Sequence, residues 1–377
     1  MASPDFPLPL VHLAQLLGEA LGGPVAPSSV IDGAAVTLAL RRHHVGPLLY
    51  AVATNGHHEI APDLLLKLEW SYRASASRRE TALARLRQIA EQFDSHAIEW
   101  MAIKGTTQAE QLYVDPAWRD SADIDILVPP DEFSRALDAL IALGFTASNP
   151  PMPKPRIVRR LILNAVRDVT LIARDDHSCA VELHRRLFFA GGSAGPSLRS
   201  KIAPGSFPAP VVGPDLAFYL IAHGALSFWV RLKWLADLVP LFAKLSDGDR
   251  LAILEHARRA RAESSVAASL LVLRELFPFV ELGPLTRWLS EKQSEASVRR
   301  RFHLYAKMLS LDSDWKQSPL DNAFMALEAN WLLFERPSTR AQIFASALPS
   351  SLARKIAGML SRSDRALTRS DAPPEFS

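Results

Sequence analysis

The spacing of apolar residues changes twice along this chain, and that change limits the folds it can adopt. From Leu10 to Phe93, and again after Asp215, apolar residues recur at every third or fourth position, which is typical of helices. Between about residues 97 and 184 they instead alternate with polar residues or form short runs, as they do in strands. The pattern predicts an α+β fold, with a small mixed-sheet core flanked by predominantly helical N- and C-terminal regions.

The same pattern divides the chain into four regions. We expect a helical N-terminal region, a core with strands, a helical C-terminal domain and a disordered tail, at residues 1–96, 97–212, 213–360 and 361–377. Short strands are predicted in the core at residues 98–105, 122–128, 168–173 and 179–184. The last two are joined by a polar turn and predict a hairpin. A helix is predicted from Asp131 to a C-cap at Gly144, and one of the C-terminal helices at residues 323–334.

The composition narrows the class of protein. The chain has 377 residues, of which 48% are hydrophobic, so it can bury a sizeable core. No stretch approaches 18 uninterrupted apolar residues, and the first residues do not resemble a signal peptide, so we expect no membrane segment and a cytoplasmic location. The single cysteine, Cys179, has no partner for an internal disulfide, which agrees with a reducing compartment.

The net charge of +3 is too small for a protein whose main task is to grip duplex nucleic acid. Basic residues do cluster in two places, after a proline-rich turn and near the end of the chain. These are Lys154, Arg156, Arg159 and Arg160, and Arg354, Lys355, Arg362, Arg365 and Arg369. The clusters are interpreted as a solvated loop and a frayed terminal helix, or as contacts to a polyanion or to nucleotide phosphates.

Two aspartates lie in the apolar segment ADIDILV. In a strand, Asp123 and Asp125 project from one face while Ile124 and Ile126 pack on the other. Two carboxylates on one face repel each other unless a cation lies between them, and such pairs are the usual ligands of Mg²⁺ that carries substrate phosphates. The alternative is an exposed edge strand with two solvated aspartates.

Nearby residues favour the metal site. Lys104 and Gly105 end one predicted strand and Thr106 begins a helix, a turn that presents free N–H groups, and in Thr106 a hydroxyl, to a triphosphate. Arg119 could pair with an aspartate or reach a phosphate. Glu182, on a later strand, could supply a third carboxylate. Three carboxylates from two strands beside a glycine turn predict a two-metal nucleotidyl-transfer site.

The segment KGTTQAEQLYVDPAWRDSADIDILV resembles the signature of the DNA polymerase β-like nucleotidyltransferase superfamily. More narrowly, it is similar to a bacterial family of uncharacterised nucleotidyltransferases. The similar features are a lysine-glycine turn, a tyrosine, an arginine before an aspartate pair, and a later acidic-leucine-histidine motif. Here these are Lys104-Gly105, Tyr113, Arg119, Asp123-Ile124-Asp125 and Glu182-Leu183-His184.

Two helical segments extend the resemblance, HHVGPLLY at residues 43–50 and AHGALSFWVRLKWLADL at residues 222–238. The sequence departs from the superfamily in having Thr106 where glycine or serine is usual, and in a longer separation between Gly105 and Asp123. His44 is expected to be a packed core histidine. His184 is interpreted as structural, or as a ligand or proton carrier, and Trp229 and Trp234 as core aromatics, or as stacking platforms for a base.

The resemblance implies a metal-dependent transfer of a nucleoside monophosphate from an NTP such as ATP, with release of pyrophosphate. Two Mg²⁺ ions are expected on Asp123, Asp125 and Glu182. The triphosphate would lie on Lys104, Gly105, Thr106, Arg119 and Lys233, with Arg231 as a further candidate. The acceptor could be a small molecule, a peptide, a protein or RNA. The alternatives are a catalytically degenerate nucleotide-binding or regulatory module and a nucleic-acid-binding protein.

Overall fold

The computed structural model describes residues 6–311 except 27–29, 56, 122, 154–155, 174–178, 188–199 and 202–206, together with 352–353, 355–357 and 359. Several predictions concern residues outside that description. They are the tail at 361–377, the helix at 323–334, the hairpin turn at 174–178, Lys154, and the C-terminal arginines Arg354, Arg362, Arg365 and Arg369.

The N-terminal region is helical, as predicted. It contains α1 (Leu8–Ala20), α2 (Gly33–Thr37), α3 (Gly46–Thr54) and α4 (Pro62–Ser95), with a short parallel pair of strands, β1 (Val30–Ile31) and β2 (Glu59–Ile60). A π-helical turn at Leu38–His43 separates α2 from α3, and His44 follows it in the left-handed conformation (φ 53°). The helical spacing predicted between Leu10 and Phe93 is therefore interrupted at this turn.

A five-stranded mixed sheet follows, in the spatial order β3-β4-β7-β6-β5. Its strands are β3 (Met101–Ala102), β4 (Asp123–Leu127), β5 (Phe145–Asn149), β6 (Asp168–Ala173) and β7 (Ala180–His184). β4 and β7 are parallel and the other neighbours are antiparallel. The predicted mixed sheet and the hairpin of β6 and β7 are both confirmed.

Three helices connect or cover these strands, α5 (Thr106–Leu112), α6 (Phe133–Ala142) and α7 (Arg156–Ala165), and Gly144 follows α6 at φ +93°. The interpretation of residues 156–160 as a loop was wrong. They form the first half of α7, because Ile162 and Leu163 bury the second half of that helix against the sheet. Strand β5 was also missed.

The rest of the described chain is almost entirely helical. After a short pair of strands, β8 (Ser200–Lys201) and β9 (Ala209–Pro210), it forms α8 (Pro214–Leu226), α9 (Leu232–Ala243), α10 (Asp247–Ala260), α11 (Glu263–Leu276), α12 (Leu285–Lys292) and α13 (Ala296–Leu309). No helix in the described part of the chain combines the length and the apolarity needed to cross a bilayer.

Two hydrophobic cores organise the molecule. The first joins α1 and α3 to the helices from α8 to α13, and the second lies between one face of the sheet and α4, α6 and α7. The 34-residue α4 contributes to both, with Leu68 in the first core and Phe93 in the second. The four regional boundaries drawn from the sequence stay a prediction. The other face of the sheet, away from the second core, carries the polar side chains of Asp125, Glu182 and His184.

Candidate active site

The acidic strand β4 lies next to β7 in the middle of the sheet. Asp125 is the direct register partner of Glu182, so the two carboxylates leave neighbouring strands on the same face. The alternate residues Ile124 and Ile126 are buried in the second core. Asp125 has no exposed surface, whereas the Glu182 side chain keeps 34% exposure. β4 is therefore a central strand, and the edge-strand alternative is wrong.

One oxygen of Asp125 lies close to the side-chain nitrogens of Lys104 and His184. Oδ1 lies 3.0 Å from Nζ of Lys104 and 2.9 Å from Nε2 of His184. The same His184 nitrogen is 3.5 Å from Oε2 of Glu182. The other oxygen, Oδ2, is buried and has no hydrogen-bond partner among the described residues. A buried carboxylate oxygen without a donor is costly, so this atom marks a place for a ligand.

The electrostatics differ sharply between the two aspartates. Burial opposes ionisation of Asp125, but the charge of Lys104 and the hydrogen bond from His184 outweigh it and hold its pKa well below the ordinary value. Burial and the nearby charge of Asp125 raise the pKa of Asp123. Burial would lower the pKa of His184, yet hydrogen bonds to Asp125 and Glu182 raise it. The cluster favours added positive charge.

The predicted glycine turn lies against this strand. Gly105 has φ +74°, a conformation that favours glycine, and a Cβ at this position would be 3.0 Å from the Asp123 carbonyl oxygen. Thr106 and Thr107, which begin α5, are both buried. The turn therefore needs glycine for its backbone conformation and for its close approach to the acidic strand.

A cavity of about 360 Å³ opens over these groups. Most of the predicted site residues line it, namely Lys104, Gly105, Arg119, Asp123, Asp125, Glu182, Arg231 and Lys233. Thr106 lies next to the lining. The structure thus brings acidic groups from the sheet and basic groups from the start of α9 into one cavity, which suits a phosphorylated ligand with its cation.

Arg119 has a second role in the cavity wall. Its guanidinium donates to both oxygens of Asp237 on α9, at 2.9 to 3.1 Å, and Tyr113 adds a 2.8 Å hydrogen bond to the same carboxylate. All three residues are buried. This network fixes the segment before β4 to the C-terminal helices, so it holds the two walls of the cavity together.

Asp120 forms another junction at the rim. Its carboxylate pairs with Arg78 at 2.6 Å and with Nδ1 of His44 at 3.4 Å, and its carbonyl oxygen accepts a 3.2 Å hydrogen bond from Lys233. Burial would raise the pKa of Asp120, but the contacts with His44 and Arg78 outweigh it and lower this pKa to about 2. Burial, and then the charge of Arg119, lowers the pKa of Lys233 to about 8.

Sequence reasoning missed some of the lining residues. His44, expected in the core, instead lines the cavity, because the π-helical turn before it leaves His43 buried and turns His44 outward. His223 also lines it, with its ring 5.6 Å from that of Trp234, a lining residue for which the sequence left open a core role or a stacking role. Trp229 is a core residue, as the sequence favoured, and its indole N–H donates a hydrogen bond to Ser269.

Ligand atoms of Asp125, Glu182 and His184 all lie within 4.8 Å of one another. Carboxylate oxygens with an optional imidazole fit a divalent cation, and the unsatisfied Oδ2 of Asp125 is an available ligand atom. Asp123 is not a member of this group, although it lines the same cavity. His184 is a member that the predicted metal set did not include.

A mixed sheet that carries clustered carboxylates beside a glycine turn and a basic wall defines a site for phosphate-bearing substrates. The chain belongs to the family described as uncharacterised nucleotidyltransferase, whose model matches residues 30–278. The matched residues include the whole five-stranded sheet and the helices from α2 to α11. No curated protein matches the sequence.

Proposed function

We propose that this chain transfers a nucleoside monophosphate from an NTP to a hydroxyl or other nucleophile of an acceptor, with release of pyrophosphate. The buried oxygen Oδ2 of Asp125 carries the proposal, because a buried carboxylate oxygen without a donor, in a cavity with two further carboxylates, is a suitable ligand atom for a cation. Family membership supports the same class of reaction. We also propose that the chain belongs to the DNA polymerase β-like superfamily and has a bacterial source.

Asp123, Asp125 and Glu182 would hold Mg²⁺, with two ions expected. When bound, the ions would neutralise the phosphates and lower the pKa of the attacking hydroxyl. His184 holds the Asp125 carboxylate at 2.9 Å and would keep it oriented toward the cavity. A metal softer than Mg²⁺ could take the imidazole as a ligand instead.

The basic groups would position the triphosphate. Gly105 allows the backbone to approach, Thr106 offers a hydroxyl, and Lys104 and Lys233 place two ammonium groups at the cavity wall. Arg119 would add a contact from the buried network with Asp237. These groups would act by positioning the substrate and by neutralising charge, which supply most of the rate in such reactions.

In the transfer step the acceptor oxygen would bond to the α-phosphorus while the bond from that phosphorus to the bridging oxygen breaks. Pyrophosphate leaves with the bridging oxygen and its electron pair. Glu182, the more exposed of the two carboxylates in the group with His184, would take the acceptor proton. The acceptor would bind in the same cavity, whose lining includes His44 and Trp234.

Incubation with each α-labelled NTP, Mg²⁺ and candidate acceptors of the four classes tests the proposal by transfer of the label to the acceptor, with pyrophosphate release measured in parallel. We expect the wild type to transfer the label and release pyrophosphate, and Asp123→Ala/Asp125→Ala to be inactive. Glu281→Ala/Glu291→Ala removes two exposed carboxylates elsewhere and is the matched control. Nucleotide binding without pyrophosphate from any acceptor would instead favour a degenerate regulatory module.

A further inference from the structure

A second cavity, of about 710 Å³, lies on the other face of the sheet. It is bounded by the segment before and at the start of α6, by α7, and by Arg185 just after β7. Side chains alternate along β7, so Arg185 points away from the face that carries Glu182 and His184. The two cavities share no lining residue, and the second one plays no part in the proposed transfer.

Four arginines line this second cavity, from two separate elements. Arg156, Arg159 and Arg160 lie on one face of α7, at three- and four-residue spacing, and Arg185 faces them from the sheet. Two aspartates also line it, Asp131 and Asp138, and Asp138 pairs with Arg159. The four arginines outnumber the two aspartates, so part of the positive charge around this cavity is not neutralised by the residues that line it.

The arginine donors exceed the acceptors that the described chain offers. Arg185 donates to the Leu163 carbonyl oxygen at 2.7 Å, and its guanidinium lies 5.8 Å from the Phe133 ring centroid. The Nε atoms of Arg159 and Arg185 are nevertheless buried with no hydrogen-bond partner among the described residues. Arg185 is therefore held in place while part of its donor capacity stays unused.

Two further arginines are available to a ligand. Arg156 and Arg160 are exposed, and neither makes a hydrogen bond or ion pair to a described residue. They are four residues apart on α7, so both guanidinium groups project over the same cavity. A planar guanidinium binds phosphate through paired N–H groups and cannot lose its charge at physiological pH.

We propose that this cleft binds an anion with two or more phosphate groups, held by Arg156, Arg159, Arg160 and Arg185. A single phosphate would engage only one or two guanidinium groups, whereas the cavity is large enough for a linear chain of phosphates. Such an anion occurs as a free oligophosphate, as a nucleotide or as the backbone of a nucleic acid. This site is independent of the carboxylate site and of the proposed reaction.

Calorimetric titration of the full chain with inorganic tripolyphosphate, without divalent cations, tests the proposal. Arg156→Ala/Arg160→Ala removes two exposed side chains that hold nothing else in place. We expect it to weaken binding by at least about tenfold, because two guanidinium groups that would donate charged hydrogen bonds to the phosphates are lost. Arg299→Ala/Arg300→Ala, on an exposed face of α13, removes the same charge and is expected to bind like the wild type.

Parallel titrations with ATP and with a short single-stranded RNA separate the possible sources of the phosphates. A loss of affinity confined to one of these ligands supports the site and identifies its ligand. Equal affinity of the wild type and Arg156→Ala/Arg160→Ala for all three probes would overturn the proposal. An equal loss in the Arg299→Ala/Arg300→Ala control would also overturn it, because the effect would then be one of overall charge.

Discussion

Asp125 and Asp237 are both buried carboxylates with cationic partners, yet their hydrogen bonding differs. Asp237 receives Tyr113 and Arg119 on one oxygen and Arg119 on the other, so its acceptors are used within the chain. Asp125 has its two partners on Oδ1, and Oδ2 has none among the described residues. Both carboxylates are buried, so the unfilled hydrogen-bonding capacity of Asp125, rather than its burial, is the reason to propose a functional role for it.

The largest effect is expected on catalysis at Asp125. Asp125→Asn should lower the rate of nucleotidyl transfer by about 10³-fold or more, because a neutral amide cannot hold the cation that the substrate needs. The free energy of unfolding should fall less than for the corresponding change at Asp237, since Lys104 keeps Asp123 and Glu182 as charge partners. Pyrophosphate release and urea unfolding measure the two effects. Full activity in this variant would show that Oδ2 has no use.

The next largest effect is on stability at Asp237. Asp237→Asn should lower the free energy of unfolding by about 3 kcal/mol, because it leaves the buried guanidinium of Arg119 without its counter-charge. Arg119→Met/Asp237→Leu should recover most of that loss, since it removes both charges. Urea denaturation of the three proteins checks this. A double variant less stable than Asp237→Asn would contradict the role given to the ion pair.

Substitution of Gly105 tests two requirements of the turn, its positive φ and its close contact with β4. Gly105→Ala should cost about 2 kcal/mol of stability and weaken NTP binding, because the new methyl group meets the Asp123 carbonyl oxygen. Gly144→Ala is the control. Gly144 has φ +93°, and no atom of a described residue beyond its two chain neighbours lies within 4 Å of the position that its new methyl group would take, so this variant bears only the conformational cost. If both variants lost the same stability and Gly105→Ala bound NTP like the wild type, the turn would have no role in NTP binding.

The smallest effect concerns pH. Burial lowers the pKa of Lys233 to about 8, so its ammonium is charged below that pH and neutral above it. NTP affinity should therefore decrease as the pH rises through about 8. Lys233→Arg should keep its charge and remove most of that decrease. Calorimetric titration between pH 6.5 and 9.5, a range of roughly three units around that pKa, checks this. The same decrease in Lys233→Arg would assign it to another group.

Much of this site could be predicted because its chemistry is local. The alternation in ADIDILV placed Asp123 and Asp125 on one face, and the strand around Glu182 formed a hairpin with the preceding strand, as expected. Lys104 and Gly105 follow the end of β3 within three residues, so their position also followed. These features depend on spacing of a few residues, which a sequence shows directly.

Other features depended on contacts that no local pattern contains. Arg119 and Asp237 are 118 residues apart, and only the packing of α9 brings them together. His44 could not be placed, because a π-helical turn changes the phase of a helix without a clear sequence signal. The sequence did not indicate the first half of α7, because that half is rich in arginine and the two buried residues of the helix, Ile162 and Leu163, lie in its second half.

The most direct test is binding of Mn²⁺, as a probe for Mg²⁺, followed by electron paramagnetic resonance. We predict that the wild type binds Mn²⁺, that Asp138→Asn, which alters an exposed carboxylate, binds it equally, and that Asp125→Asn binds it at least about tenfold more weakly. Circular dichroism should be unchanged in all three. Equal affinity of Asp125→Asn and the wild type would contradict the claim that Asp125 is the centre of the cation site.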